Sequence, residues 1–415
     1  MIFTDRVILH CDLNNFYASV ETVLNPALKG KAIAVCGRTE DRHGIVLAKS
    51  EKAKKYNIKT GDVVWEAKKK CKELIVIEPN FDEYVKYGKA VRQIYYNYTD
   101  LIEPFGLDEC WLDVTDSNKI FGSDYETAYK IKEQVKKEIG LTISVGVSFN
   151  KVFAKLGSDL KKPDGITIIR RDNFKEKIWD LPASDMLWVG RSTEKVLKKY
   201  GIKTIGDIAN TSPEILVSFF GKNGYSLWKC ANGYENSAVS TFGDMPEVKS
   251  IGRGCTLISD LETDEEVWRV LLTLSHSVSK HLREEELMAS GVQITVKSND
   301  LKSVQFQKKL CFATQNAREI ADCAYELYLE RYDKELPVRA LTVRAIDLLS
   351  FNTAQQLNIF FDINKHLRHE IIEKTVLELN KKFGKHTVIE ATLLNNTKIP
   401  TDKTDEVLLP SARFR

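Results

Sequence analysis

The sequence predicts an α+β protein of several domains. Three observations carry that expectation: a chain of 415 residues, alternating strand-like and helix-like segments from Val7 to Ile169, and a second run of that kind beginning at Lys249. At about 100–200 residues per domain the length allows two to four domains. Hydrophobic content of 43% and charged content of 29% are ordinary for a chain that buries real cores.

Val7–Cys11 is a short apolar run ending at Asp12 and reads as a buried strand. Phe16–Leu24 has helical spacing. Residues 25–75 read as a small mixed segment: a strand at Ala32–Cys36, a loop with Gly37 and Gly44, then Lys-rich helical stretches. Ile102–Leu107 and Cys110–Val114 read as two strands joined at Asp108–Glu109. Tyr125–Glu138 is an amphipathic helix, Leu141–Val147 an alternating strand, Lys151–Leu160 a helix stopped by Pro163, and Gly165–Ile169 another strand. This pattern predicts a sheet with helices on one face.

Residues 170–232 read as helical, with Gly-punctuated turns at Trp188–Arg191, Tyr200–Ile202 and Phe220–Gly224. Residues 233–248 carry little periodicity and read as a linker. Strands then follow near 253–258, 291–297, 303–312 and 338–348, with helices near 264–286 and 316–332. That β-α-β-β-α-β order is ferredoxin-like. Residues 349–415 form a tail with one helix, Asn364–Phe383.

The net charge of +3 names no partner, but its distribution is uneven. Leu101–Glu126 holds seven acids against Lys119 alone, whereas Asn150–Lys203 holds thirteen Lys or Arg against seven acids. An acidic pocket beside a basic flank suits a cation site next to a polyanion, although charge alone fits a patchy solvated surface equally well. Eight cysteines show no C-x-x-C pair and no zinc spacing, which predicts reduced, buried thiols in a cytoplasmic protein. His366 and His369 read as an exposed helix face rather than a metal site. The start of the chain lacks a signal-peptide pattern, and no apolar stretch approaches the ~20 residues that span a bilayer.

The strongest local signal is Asp108–Glu109 between two strands, with Asp12 at the end of a third. Neighbouring side chains on a regular strand point to opposite faces. Two adjacent acids can share a cation only at a turn or bulge, which Gly106 would ease. Three converging carboxylates repel one another unless a divalent cation neutralises them, and Mg²⁺ suits such oxygen ligands. Two such ions can stabilise both the attacking and the leaving oxygen of an in-line displacement at phosphorus. Taken singly, each acid is more often a surface residue.

HCDLNNFYASVE (His10–Glu21), GLDECWLD (Gly106–Asp113) and VGVSFNKVFAKLGSDLKKPDG (Val145–Gly165) resemble, in order, three motif blocks of the Y-family, translesion DNA polymerases. The resemblance runs from the first residue to about residue 348. It implies a right-hand polymerase: palm at 1–24 and 76–169, fingers at 25–75, thumb at 170–232, a linker at 233–248, a little finger at 249–348 and a tail at 349–415. Two Mg²⁺ ions are implied, with Asp12 and Asp108 bridging them, Glu109 holding the catalytic ion and Leu13 lending its backbone carbonyl. The implied reaction is attack of a primer 3′-hydroxyl on the α-phosphate of a deoxynucleoside triphosphate. The implied outcome is low-fidelity synthesis without proofreading.

The same resemblance makes Tyr17 the steric gate under the deoxyribose. Its neighbour Phe16 joins the nucleotide-binding set, though on residue type it reads as a core aromatic. Ile45 and Leu47 would roof the new base pair, and Lys162 and Lys54 would contact the triphosphate. Lys54 replaces the family's arginine and loses its bidentate fork. The family's fingers tyrosine is Glu51 here, which cannot donate to phosphate, so that contact is absent or moved to Lys49 or Ser50. LWVGRSTEKVLKKYGI (Leu187–Ile202) resembles the helix-hairpin-helix, putting Val189, Gly190 and Arg191 against duplex phosphates, with Leu187-Trp188 in place of the usual Pro-Gly. Lys297, Lys302, Lys308, Lys309, Arg339 and Arg344 are candidate DNA contacts of the little finger.

Gln356-Leu357-Asn358-Ile359-Phe360 is similar to the pentapeptide that binds the replication sliding clamp. The expected working unit is a monomer on primer-template DNA. A two-metal nuclease or a nucleotide cyclase could use similar carboxylates, but neither needs the gate segment, hairpin and little finger together. The alternative of another class is a silent DNA-binding scaffold with a polymerase shape, against which the intact Asp12, Asp108 and Glu109 argue.

Overall fold

The computed structural model describes residues 6–37, 44–244, 247–356, 362–384, 387–394 and 398–400. It forms two compact units. One holds the chain up to Gly37 and from Ile45 through the linker; the other starts at Glu247.

The first unit opens with β1 (Ile8–Leu13) and α1 (Phe16–Leu24). Next come β2 (Ile33–Cys36), β3 (Val46–Lys49), α2 (Glu51–Lys54), α3 (Val64–Lys70) and β4 (Ile75–Ile77). They are followed by α4 (Phe81–Tyr96), β5 (Ile102–Pro104), β6 (Glu109–Asp113), α5 (Asn118–Phe121) and α6 (Asp124–Ile139). Then β7 (Ile143–Ser148), α7 (Lys151–Leu160) and β8 (Ile166–Ile169) complete the sheet region. Five helices close the unit: α8 (Phe174–Ile178), α9 (Arg191–Lys199), α10 (Ile205–Asn210), α11 (Pro213–Phe220) and α12 (Lys222–Ala231). The sequence left β3, β4 and α4 unassigned.

β1 is the middle strand of a five-stranded sheet ordered β5-β6-β1-β7-β8, antiparallel to both neighbours. Alternation along β1 sends Leu9, Cys11 and Leu13 into a core shared with Val20, Tyr84, Val91, Ile131 and Val135 of α1, α4 and α6. Ile8, His10 and Asp12 therefore face the opposite side. That side is covered by α7, so helices lie on both faces of the sheet rather than on one. The cause is a pair of glycines. A Cβ on Gly146 of β7 would collide with the Ala154 carbonyl oxygen and the Ser158 amide, and one on Gly157 would stand 3.2 Å from the Gly146 Cα. Without side chains there, α7 lies directly on the strand beside Asp12. A smaller sheet, β3-β2-β4, surrounds Ala34, Cys36 and Val46.

The second unit has the expected order: β9 (Ser250–Leu261), α13 (Asp264–Glu284), β10 (Leu287–Ser298), β11 (Ser303–Thr314), α14 (Ala317–Arg331) and β12 (Val338–Ser350). Its sheet is antiparallel throughout, ordered β11-β10-β12-β9. Val292, Ile294, Val296, Leu341 and Val343 meet the two helices in one core. The tail helix α15 (Ile363–Phe383) folds back onto this unit. Buried Glu373 accepts hydrogen bonds from the Ser279 hydroxyl at 2.6 Å and from the Ala317 amide at the start of α14 at 3.1 Å. His366 is buried too, its Nδ1 2.8 Å from Glu319 Oε1, which corrects the expectation of an exposed histidine face. α15 thus turns polar groups inward and leaves Leu367, Ile371 and Ile372 exposed.

Candidate active site

The three acids come together where β1 meets β6. Asp12 pairs with Glu109 across the two antiparallel strands, and Leu13 donates its amide to the Asp108 carbonyl at 3.0 Å. Asp108 lies just ahead of β6, in a tight bend closed by the Phe105 amide on the Glu109 carbonyl at 2.8 Å. Gly106 takes φ 147° there, so the turn expected between two neighbouring acids exists and glycine makes it. From behind, α4 grips the bend. A Cβ on Gly88 would reach to 2.6 Å from the Leu107 carbonyl oxygen, and buried Arg92 donates to the Gly106 carbonyl at 3.3 Å.

Two lysines share these carboxylates. The Lys155 ammonium stands 2.9 Å from Glu109 Oε1 and 3.4 Å from Asp12 Oδ2, and Lys162 stands 2.7 Å from the same Asp12 oxygen. Asp159 receives both, at 3.5 Å from Lys155 and 2.8 Å from Lys162. Burial and the charges of Glu109 and Asp12 push Asp108 up to about 7. Burial, then Glu109, also raises Asp12, and the lysines reverse only part of that. Burial opposes the charge on Lys155, yet Glu109, Asp159 and Asp12 outweigh it and hold the ammonium above its ordinary range.

His10 adds a further acceptor. Burial, with Lys155 nearby, drives it down to about 3, so it is neutral. Ser158 gives its hydroxyl proton to the Lys155 carbonyl at 2.7 Å and so accepts from His10 Nδ1 at 2.8 Å. That tautomer leaves His10 Nε2 as a buried acceptor without a hydrogen bond, facing Glu109 Oε2 at 3.5 Å.

Among the described residues no three His, Cys, Asp or Glu side chains close on one point as a finished metal cage would. The donors nevertheless fit a divalent cation. They are hard oxygens, burial and then the charges of Glu109 and Asp12 push Asp108 up to about 7, and an orphaned lone pair faces Glu109. Each of these features is relieved by added positive charge.

Tyr17 is half-buried on α1. Its ring stacks on Tyr84 at 4.3 Å and 12° and meets Phe81 edge-on at 5.9 Å. Asp108 is near enough to help burial raise its hydroxyl to about 12. Phe16 is only 3% exposed and packs in the core beside Tyr17, their ring centroids 5.5 Å apart. Ile45 is exposed and Leu47 half-exposed beside buried Val46, but a bulge between Val46 and Ala48 breaks the alternation and sets Lys49 opposite Ala34. Glu51 binds Asn15 and Lys54, each at 2.7 Å, instead of reaching outward. Ser50 is consumed as the cap of α2, and Lys49 donates to Thr60 at 2.9 Å.

In the helical region Val189 is buried in the local core, while Gly190 caps α9 and Arg191 begins it. Trp188 keeps the hairpin turn by taking φ 70°, a conformation that suits glycine better, and it is exposed. In the second unit Lys297 and Arg344 lie on the sheet face away from the helices. Gln293 and Thr295 lie on that face too, beside Gly252 and Gly254. Lys309 alternates onto the same face. Lys308 does not: it pairs with buried Val292 and binds Glu326 and Glu330 of α14 at 3.1 and 3.7 Å. Lys302 sits in the β10–β11 turn 2.9 Å from Asp300, and Arg339 falls where the β12 register shifts.

Sequence reasoning missed Lys155, Asp159, His10 and Asn14. Lys155 and Asp159 follow i, i+4 spacing, a signal of one shared helix face that was available, and Lys162 follows in the loop just past that helix. Asn14 had no such signal. It accepts from the Asp164 amide at 2.8 Å and donates to Ser144 at 2.8 Å, tying the loop that carries Lys162 to the end of β1.

Comparison with known proteins agrees in extent and order. Residues 11–159 match the impB/mucB/samB family model, and residues 248–359 match the C-terminal domain of that family. The chain is 49% identical over 391 residues to the DNA polymerase IV of Acetivibrio thermocellus, covering 94% of this chain and 98% of that one. It is 37% identical over 399 residues to DNA polymerase IV 1 of Bacillus subtilis, covering 96% of each. A solved Y-family DNA polymerase chimera of Dbh and Dpo4 aligns with a TM-score of 0.72 and 25% identity, over 83% of this chain and 99% of that one.

Proposed function

The chain belongs to the impB/mucB/samB family, the Y-family DNA polymerases, and we propose that its catalytic centre is the sheet edge of Asp12, Asp108 and Glu109. It is a template-directed DNA polymerase of the translesion class, using primer-template DNA and deoxynucleoside triphosphates in two-metal nucleotidyl transfer. The observation that carries the site assignment is the cross-strand pairing of Asp12 with Glu109, with Asp108 bonded to Leu13 beside them. Primer extension on a defined template, by chains with and without these three carboxylates, is the test. Full extension without any one of them would remove it from the site.

We assign two Mg²⁺ ions to the centre, which Asp12, Asp108, Glu109 and the Leu13 carbonyl would hold. When bound, the ions supply charge neutralisation at the α-phosphate and activate the primer hydroxyl. The chain's own residues do the rest. The rigid bend at Gly106–Asp108 fixes the acids relative to β1, so binding needs little reorganisation. Lys162, on the loop that Asn14 ties down, contacts the triphosphate, joined by Lys54 and Lys49 on the small sheet's side. Ile45 and Leu47 roof the base pair, and Tyr17 underlies the sugar. The 3′-oxygen forms the new bond to the α-phosphorus as pyrophosphate leaves.

In this reading the palm is 1–24 and 76–169, the fingers 25–75, the thumb 170–232, the linker 233–248, the little finger 249–348 and the tail 349–415. The Gly190 amide and Arg191 hold duplex phosphates at the start of α9. The polar sheet face of Lys297, Lys309 and Arg344 tracks the backbone, with Arg339 and Lys302 at its margins. Lys297→Ala combined with Arg344→Ala is expected to weaken primer-template binding and to flatten its salt dependence by roughly one unit of slope per lost phosphate contact. Lys308→Ala should leave both unchanged; an equal loss there would put the DNA on the other face.

The sliding clamp is the proposed protein partner. Gln356 is exposed, and Leu357, Asn358, Ile359 and Phe360 lie outside the described residues. The residue just before the motif, Gln355, is fixed to the Ala313 backbone at 2.7 and 3.1 Å, so the motif starts from a firm anchor. Capture of the full chain on immobilised clamp should be lost with Phe360→Ala, and undiminished capture would refute the motif. Among the described residues no helix is long and apolar enough to cross a membrane. A cytoplasmic monomer is the form proposed.

A further inference from the structure

We propose that Asp159 is a positioning residue for metal entry: it takes Lys155 from the catalytic carboxylates when divalent cations bind. The inference rests on the metal-site reading above. Lys155 is mostly buried, with 16% of its side chain exposed, and it contacts Glu109, Asp12 and Asp159 at 2.9, 3.4 and 3.5 Å. A cation that claims oxygens of Asp12 and Glu109 repels this ammonium. Left with no other acceptor, the lysine would be a buried charge without a partner, which is costly. Asp159 removes that penalty. It stands one turn further along α7, with 45% of its side chain exposed, and already touches the same ammonium from the solvent side. A small side-chain shift therefore exchanges partners without stranding a charge. Lys162 is divided in the same way, 2.7 Å from Asp12 and 2.8 Å from Asp159, and one carboxylate serves both lysines. Asp159 needs no contact with metal or nucleotide to do this.

The test is Mn²⁺ binding to the full chain, read as loss of the free-ion electron paramagnetic resonance signal. Asp159→Asn should weaken binding about three- to tenfold, because the ammonium then commits fully to Glu109 and Asp12. Lys155→Met should tighten binding, since the ammonium on Glu109 no longer has to be displaced and only Lys162 remains on Asp12. In the Lys155→Met background, Asp159→Asn should weaken binding clearly less than it does in the wild type, the remainder passing through Lys162. Asp159→Glu should restore wild-type binding and guards against a folding defect. Equal weakening by Asp159→Asn in both backgrounds would show that Asp159 acts only through its negative charge, and no weakening in either would show that it does not act; each overturns the proposal. Binding insensitive to Asp12→Asn would instead remove the metal site itself, which keeps the two failures apart.

Discussion

Asp108→Asn and Glu109→Gln are each expected to lower primer extension by about 10³-fold or more while the protein stays folded. Nearly all of the catalysis in phosphoryl transfer is positioning and charge neutralisation, so losing one anionic ligand removes more than a proportional share. The fold has no matching need for these charges. Asp108 rises from its ordinary 3.8 to about 7 because burial and two neighbouring acids disfavour its ionised form. A carboxyl raised in this way contributes its stability at low pH and loses it as the pH climbs through about 7. The metal-free wild-type chain should therefore lose stability between about pH 4 and pH 8, and Asp108→Asn should keep it. Melting both proteins in chelator at pH 5 and pH 8 reads this directly. The variant should be at least as stable as the wild type at pH 8, and dead in extension. A variant that melts earlier at pH 8 would mean that Asp108 holds the fold together, and its inactivity would then say nothing about metal.

This split between structure and chemistry also explains what the sequence revealed. β1, α1 and α7 were legible because apolar periodicity and short motifs coincide there. The convergence of Asp12 with Asp108–Glu109 was legible through the motif resemblance, whereas spacing alone predicted only a glycine-eased turn or bulge at the two adjacent acids. The resident lysines were harder to foresee. They matter through Gly146 and Gly157, which let α7 settle on the sheet, and a close approach of two backbones leaves no periodic trace. α4 was hidden for another reason. It buries Tyr84, Gly88, Arg92 and Tyr95 along with Val91 and Ile94, so aromatic and polar groups interrupt its aliphatic stripe. The tail helix inverts the usual rule outright, covering Glu373 and His366 and exposing Leu367 and Ile371, so its docking surface could not be read from hydrophobicity. Glu51 was read as a residue unable to donate to phosphate, and in the structure its carboxylate joins Asn15 to Lys54.

Tyr17→Ala is expected to raise ribonucleotide incorporation by about 10²-fold while deoxynucleotide kcat/KM falls less than about tenfold. A gate works only if the blocking ring cannot step aside. Here it is backed face-to-face by Tyr84 at 4.3 Å and edge-on by Phe81 at 5.9 Å. Tyr84 is itself fully buried and donates its hydroxyl to Glu21 at 2.6 Å, one turn along the helix that carries Tyr17. Overpacking a rigid site costs on the order of 1–3 kcal/mol, and the upper end of that range is about 10² in rate. The ring, not its hydroxyl, is expected to do the excluding. Burial and Asp108 hold that hydroxyl at about 12, so it stays protonated and brings no charge of its own to the sugar. Tyr17→Phe should therefore keep full discrimination, which separates a steric gate from a hydrogen-bonding one. Alanine also removes a stacked aromatic at a cost of roughly 3 kcal/mol of stability, so kinetics must be taken on protein checked by melting. If folded Tyr17→Ala rejects ribonucleotides as strongly as the wild type, Tyr17 is a core aromatic and the discrimination lies elsewhere in the pocket.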